Sequence, residues 1–223
     1  MDALNHIREL LSVNGDAERA KKMEAYLRNQ FSFFGVMSGP RKLLLKQCKT
    51  LHLNHLNPKD KRTLVGLLWK EPERECQLLA LEWLMQWSPK DYHESDIHFF
   101  EELILQKSWW DTVDGIAPNL VGKYAKRFPD IMKKTLVQWE SHDSFWIRRS
   151  CLIHQLRYRK DTDLTLLLHF VQKFKWEKQF FIQKAIGWSL REVAKFNPSW
   201  VIEVVEGENL SGLARREALK HIL

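Results

Sequence analysis

The feature of this sequence that most constrains its fold is an aromatic helix start that recurs at a nearly constant interval. Trp109, Phe145 and Phe180 are each followed by a second aromatic residue, and they are separated by 36 and 35 residues. Each pair follows a polar turn and opens a segment with the three- and four-residue apolar spacing of an amphipathic helix. A two-helix unit of about this length is typical of an α-solenoid, in which each helix pair buries its apolar face only against its neighbours.

The rest of the chain also predicts helices. Shorter helices are expected around residues 129–140 and 162–175, and X-Pro steps fall where one helical pattern ends and the next begins. Those steps are Asn57-Pro58, Glu71-Pro72, Ser88-Pro89, Phe128-Pro129 and Asn197-Pro198. The period-two alternation of strands does not occur. We therefore expect an all-α fold, a single domain over residues 1–223, forming a curved solenoid of about 12–14 helices in HEAT-like repeats with a basic concave face.

Composition excludes several classes of protein. No apolar run approaches the ~20 residues of a membrane span, and the N-terminal sequence MDALNHIRELLSV lacks the apolar stretch of a signal peptide. The widely spaced Cys48, Cys76 and Cys151 fit a reducing compartment. We expect a soluble, cytoplasmic protein. Neither a Cys-x-x-Cys motif nor a Gly-rich phosphate loop occurs, so no metal or nucleotide cofactor is expected.

Charge and tryptophan content indicate the kind of partner. Lys and Arg number 35 against 28 Asp and Glu, which gives a net charge of +7 and a sequence pI near 9.3. Such a balance favours a polyanion, because neutralised phosphates release their counterions. The chain also holds ten Trp, about three times ordinary usage. Tryptophan rings stack and attract cations.

The repeat register places chemically active side chains on one face. If the first aromatic residue of each unit is position zero, then positions one, four, five and eight share a helical face. That face holds Trp110, Asp114, Trp146, Arg149, Ser150, Phe181, Lys184 and Trp188. Because stacked repeats align equivalent faces, we expect a groove of Trp and basic side chains with one carboxylate. Such a groove suits a phosphate backbone that carries a cationic group.

Several segments on this framework resemble the AlkD-type DNA alkylation repair glycosylases. They are YLRNQFSFFGV (26–36), KSWWDTVDGIAP (107–118), FWIRR (145–149), FFIQKAIGWSLREVAK (180–195) and REALKHI (216–222). The resemblance implies a HEAT-like solenoid that hydrolyses the N-glycosidic bond of cationic alkylpurines, 3-methyladenine and 7-methylguanine, in duplex DNA without a base-flipping pocket. One departure from the family pattern is a shifted Pro in residues 38–42.

The resemblance also implies roles for individual residues. It places the catalytic set on Trp110, Asp114 and Trp188, where the Trp faces favour a cationic nucleoside and the carboxylate stabilises the sugar and orients water. It implies that Arg149 and Arg191 contact DNA phosphates beside the lesion. We expect Lys184, Tyr26 and Arg41 to contact DNA as well. The expected partner is duplex DNA containing alkylated purines, bound by a monomer without membrane, metal or cofactor.

Two other functions stay open at this point. A catalytically silent HEAT-like protein that binds damaged or branched DNA would need only the basic face. Asp114 argues against that function, because a carboxylate on a phosphate-binding surface repels its ligand. A protein-binding scaffold would instead show an apolar or mixed concave face and little salt-dependent affinity for DNA.

Overall fold

The computed structural model describes residues 3–222, which form helices joined by short connections. The α-helical segments of this part of the chain are α1 Ala3–Val13, α2 Ala17–Tyr26, α3 Ser38–Leu51, α4 Pro58–Lys70, α5 Arg74–Leu84, α6 Asp96–Leu105, α7 Trp110–Ile116, α8 Gly122–Arg127, α9 Pro129–Trp139, α10 Phe145–Ile153, α11 Leu164–Phe174, α12 Phe180–Ala194, α13 Pro198–Gly207 and α14 Gly212–Leu219. A π-helical segment, Ala117–Val121, joins α7 and α8 into one continuous helix. Over residues 3–222 no β-strand occurs, so the all-α prediction is confirmed, and the arrangement is consistent with a helical-repeat solenoid.

Proline and asparagine set helix starts as the sequence predicts. α4 and α13 begin at Pro58 and Pro198, where the missing N–H would have no intrahelical partner. The preceding Asn57 and Asn197 side chains accept N–H groups from the first helical turn. These caps fix where one helix of a pair ends and the next begins.

The aromatic residues of the repeat also mark helix starts. α10 and α12 begin at Phe145 and Phe180, as predicted. α7 begins at Trp110, because Trp109 is still extended, with φ −157°, and occupies the N-cap position. We call α7, α10 and α12 the aromatic-led helices. Because α10 packs against both α7 and α12, it lies next to each of the other two.

The described residues form two compact units, one ending at Asp91 and the other beginning at Tyr92. In the first unit, the buried carboxylate of Glu75 accepts the backbone N–H groups of Phe34, Gly35 and Val36 at 2.8–3.0 Å. Gly35 has φ +91°, and a Cβ there would lie 2.0 Å from the carbonyl oxygen of Asp16. The segment FFGV (33–36) therefore forms a loop around the buried Glu75 carboxylate.

In the second unit, α12 packs closely against α14. A Cβ at Gly187 would lie 2.8 Å from the Ala214 carbonyl oxygen and 2.4 Å from Glu217 Cβ. Only a residue without a side chain allows this approach. Gly187 therefore permits the close packing of α12 against α14.

Two expectations from composition concern the thiols and the membrane. Cys48, Cys76 and Cys151 are free and buried, and burial raises the pKa of Cys48 to about 11 and that of Cys76 to about 12. These thiols are therefore poor nucleophiles at neutral pH. Between Ala3 and Ile222, no helix combines the length and the apolar character that a membrane span requires.

Candidate active site

The centre of the site is an ion pair between two aromatic-led helices. Arg149 of α10 donates from Nε to Asp114 Oδ1 and from Nη2 to Asp114 Oδ2, both at 2.8 Å. A third donor, Nη1, binds the carbonyl oxygen of Phe181 on α12. Asp114 and Arg149 are 35 residues apart, which is one repeat length. One guanidinium thus links three successive repeats.

Burial differs between the two partners of this pair. Arg149 is only 3% exposed, whereas the Asp114 side chain keeps 19% of its surface accessible. The carboxylate is therefore fixed from the protein side and open on the other. A bidentate Arg–carboxylate pair is among the strongest and most directional contacts that side chains make.

An aromatic cluster adjoins the ion pair through Phe181. The ring centroid of Phe181 lies 4.8 Å from Trp146 and 5.6 Å from Trp109, and Trp109 lies 5.9 Å from Trp146. The Arg149 guanidinium carbon is 6.0 Å from the Phe181 centroid. Low polarity beside the ion pair strengthens its electrostatic interaction.

The two Trp residues of the predicted catalytic set are both partly exposed. Trp110 is the first residue of α7 and lies one helical turn before Asp114, on the same side of the helix. Trp188 lies on the face of α12 that carries Phe181, about 10 Å further along the axis. The catalytic role of Trp110, Asp114 and Trp188 stays a prediction.

The predicted DNA-binding residues of α12 share one carboxylate. Lys184 Nζ lies 2.8 Å from Glu217 Oε1, and Arg191 Nη1 lies 2.5 Å from Glu217 Oε2. The hydrogen bond from Lys184 lowers the pKa of Glu217 most strongly, and Arg191 adds to the effect. The sequence reasoning did not single out Glu217, although it belongs to the REALKHI segment. The spacing of 33 residues from Lys184, close to one repeat, is the signal that could have found it.

In the first unit, the two predicted DNA-binding residues differ in accessibility. Tyr26, at the end of α2, is 71% exposed. Arg41 is 6% exposed and donates to both oxygens of Glu82 at 2.8 and 3.2 Å, so its guanidinium is already held inside the unit. Contact of either residue with DNA stays a prediction.

A basic groove that the sequence reasoning missed lies beside Arg41. Lys42, Lys46 and Lys49 follow one face of α3 and line a cavity of about 640 Å³. Lys49 donates to Gln86 at 2.7 Å. The spacing of four and three residues, which puts three ammonium groups on one side of a helix, is visible in the sequence.

Over the described range, no group of three or more His, Cys, Asp or Glu side chains is arranged to hold a metal ion.

Comparisons with known proteins point in one direction. The family model described as "DNA alkylation repair enzyme" matches residues 7–222. A solved structure, described as a "predicted DNA alkylation repair enzyme" from Enterococcus faecalis, is similar with a TM-score of 0.86 and 31% sequence identity. That similarity covers 94% of this chain and 97% of the other. A search of curated proteins gave no match.

Proposed function

The chain belongs to the DNA alkylation repair enzyme family, and on this basis we propose that it is a DNA glycosylase for cationic alkylpurines in duplex DNA. Family membership supports a role in DNA repair; the bond and the substrate are our proposal. The proposed substrates are 3-methyladenine and 7-methylguanine. The observation that carries the proposal is the Asp114 carboxylate, oriented by Arg149 yet accessible on its other side.

The chemistry needs a carboxylate and no general acid. An N3- or N7-alkylated purine is positively charged, so it leaves as a neutral base when it takes the electron pair of the glycosidic bond. Positive charge then develops on the sugar, where a fixed anion stabilises it. Water adds at the sugar carbon and loses a proton, which the same carboxylate can accept.

Arg149 makes Asp114 suitable for this role without blocking it. Each carboxylate oxygen has a second acceptor site after it has accepted one N–H from Arg149. Arg149 therefore acts as a positioning residue. Three of its about five N–H donors are engaged inside the protein and the residue is only 3% exposed, so the phosphate contact that the family resemblance implies stays a prediction.

Selectivity for a cationic base is assigned to Trp110 and Trp188. Both rings are partly exposed. A cation over a Trp face gains about 0.5–2 kcal/mol, and a neutral base gains less. Recognition by charge suits an enzyme that acts on several alkylated purines, because it does not require a pocket shaped to one base.

The same ion pair supports a second candidate function, a DNA-binding protein without catalysis. Because Arg149 neutralises Asp114, the carboxylate repels a nearby phosphate less than an isolated one would. A paired Asp114 is therefore compatible with a surface that binds phosphates. Activity measurements separate the two functions.

The test compares duplexes that carry one 7-methylguanine, one N3-methyladenine or one hypoxanthine, which is a neutral lesion. The glycosylase proposal expects free base above the spontaneous rate from at least one cationic lesion and much less from hypoxanthine. Tight, salt-sensitive binding with no release from either cationic lesion would favour the silent binder. Equal release from the neutral lesion would refute selection by charge.

A further inference from the structure

In the second unit, several cationic side chains surround a cavity. None of the proposed catalytic residues lines this cavity. The cavity, of about 860 Å³, lies between the 156–162 loop and the end of α12. Its lining includes four cations, namely Arg157, Arg159, Lys160 and Lys195. We call Arg157, Arg159 and Lys160 the cationic loop. All three side chains belong to exposed residues.

The carboxylates beside the cavity are already neutralised by other residues. Asp161 pairs with Lys126 at 3.0 Å, and Glu192 pairs with Lys195 at 2.6 Å. Among the described residues, none of the three cationic-loop side chains has a carboxylate within ion-pair distance. The lining residues alone carry a net charge of about +2, and because Lys126, outside the lining, offsets Asp161, the three cations of the loop are left without a carboxylate partner.

This positive charge extends to a neighbouring helix. Lys123 of α8 has a lowered pKa, first because of burial and second because of repulsion from Arg157. Like charges held together cost the folded state free energy. The charges of the cluster therefore do not stabilise the fold. An anion bound from outside the protein would balance these charges.

The loop is held in place before any ligand arrives. Tyr158 donates its hydroxyl to the Gly122 carbonyl oxygen at 2.6 Å. Arg159 has φ +54°, a left-handed conformation that is uncommon for a residue with a side chain. Thr162 stabilises that turn, because its hydroxyl and its N–H both donate to the Arg159 carbonyl oxygen, at 2.7 and 3.1 Å. A cationic surface that is already ordered loses less entropy when it binds.

We propose that the cationic loop is a second nucleic-acid contact, which binds phosphodiester groups of the duplex away from the lesion. This inference rests on duplex DNA being the partner, as the proposed function holds. Guanidinium groups match the geometry of phosphate oxygens. Arg157 and Lys160 are at most about 10 Å apart along the chain, which suits one or two neighbouring phosphates of one strand. The contact carries no base specificity, because phosphates do not differ between sequences.

The test removes two charges from the loop and two from elsewhere. The variant Arg157→Gln/Lys160→Gln is compared with Lys133→Gln/Lys134→Gln, a matched pair of exposed lysines on α9. Arg159 is left unchanged so that the left-handed turn keeps its native residue. The binding constant for an undamaged duplex is measured from 50 mM to 500 mM salt.

If the loop binds two phosphates, the slope of log K against log salt falls by about 1.8 in magnitude, and affinity near 150 mM salt drops about 30-fold. The control pair changes the slope little. Single-turnover base release at saturating protein stays near the parent rate, because the variant leaves the catalytic set intact. Thermal unfolding of the loop variant occurs at or above the parent temperature, because repulsion of Lys123 is relieved.

Equal slopes for the loop variant, the control and the parent would overturn the inference, whatever the enzyme excises. A parent that binds duplex DNA through the loop but releases no base would retain the inference and overturn the glycosylase proposal. A parent with no affinity for DNA at low salt would overturn both.

Discussion

Replacing Arg149 by methionine is expected to destabilise the protein and stop base release together. Methionine fills about the volume of the arginine methylene stem, but Asp114 loses both of its N–H donors and the Phe181 carbonyl loses one. Breaking a buried ion pair typically costs 3–5 kcal/mol, and the partial exposure of Asp114 places this site at the low end, about 3 kcal/mol. The unpaired carbonyl adds about 1 kcal/mol. A loss of about 4 kcal/mol lowers the unfolding temperature of a chain of this size by about 10 °C.

The assay is a double-mutant cycle with Asp114→Asn, followed by thermal unfolding monitored by circular dichroism. We expect a coupling free energy of about 2 kcal/mol between the two positions, because each side chain depends on the other. If the two changes are additive, or if Arg149→Met shifts the unfolding temperature by less than about 2 °C, the ion pair does not hold the site together.

Two further predictions follow from packing and from pH. Gly187→Ala is expected to destabilise the protein by separating α12 from α14, whereas Gly66→Ala, in open space within α4, is expected to stabilise it by about 0.5–1 kcal/mol. Urea unfolding measures the change in unfolding free energy for both variants. A neutral effect of Gly187→Ala would contradict the close approach of the two helices. Burial lowers the pKa of His154 from 6.5 to about 4, so the unfolded state binds the proton first and stability falls by about 3 kcal/mol as pH drops from 6.5 to 4. His154→Gln is expected to flatten that dependence in denaturation curves, and an unchanged slope would show that another group is responsible.

The sequence predicts the helices well, because the signals that start and end a helix are local. Pro58 and Pro198 each mark a helix start within a single turn of sequence, and the spacing of Phe145 and Phe180 indicates the repeat. The start of α7, predicted at Trp109 and observed at Trp110, depends on one extended residue that no local pattern distinguishes from a helical one.

The sequence predicts which residues share the face of the candidate site, but it does not predict the ion pairs that they form. The shared face of Asp114 and Arg149 follows from the helical period, but the bidentate bond between them depends on how far one repeat is displaced over the next. The same holds for Glu217, which pairs with Lys184 and Arg191 across a repeat. Cross-repeat contacts require three-dimensional stacking, which periodicity along one helix does not describe.

The most direct test of the proposed mechanism is the single-turnover rate of 7-methylguanine release at saturating protein for two matched variants of α7. Asp114→Asn and Asp111→Asn make the same chemical change on one helix, three residues apart. We expect Asp114→Asn to slow release at least about tenfold, because a general base contributes about 10²–10⁴-fold to the chemical step. Duplex affinity should change little. Asp111→Asn should retain most of the parent rate. Release by Asp114→Asn at the parent rate, or equal losses in both variants, would show that the Asp114 carboxylate does not act in base release.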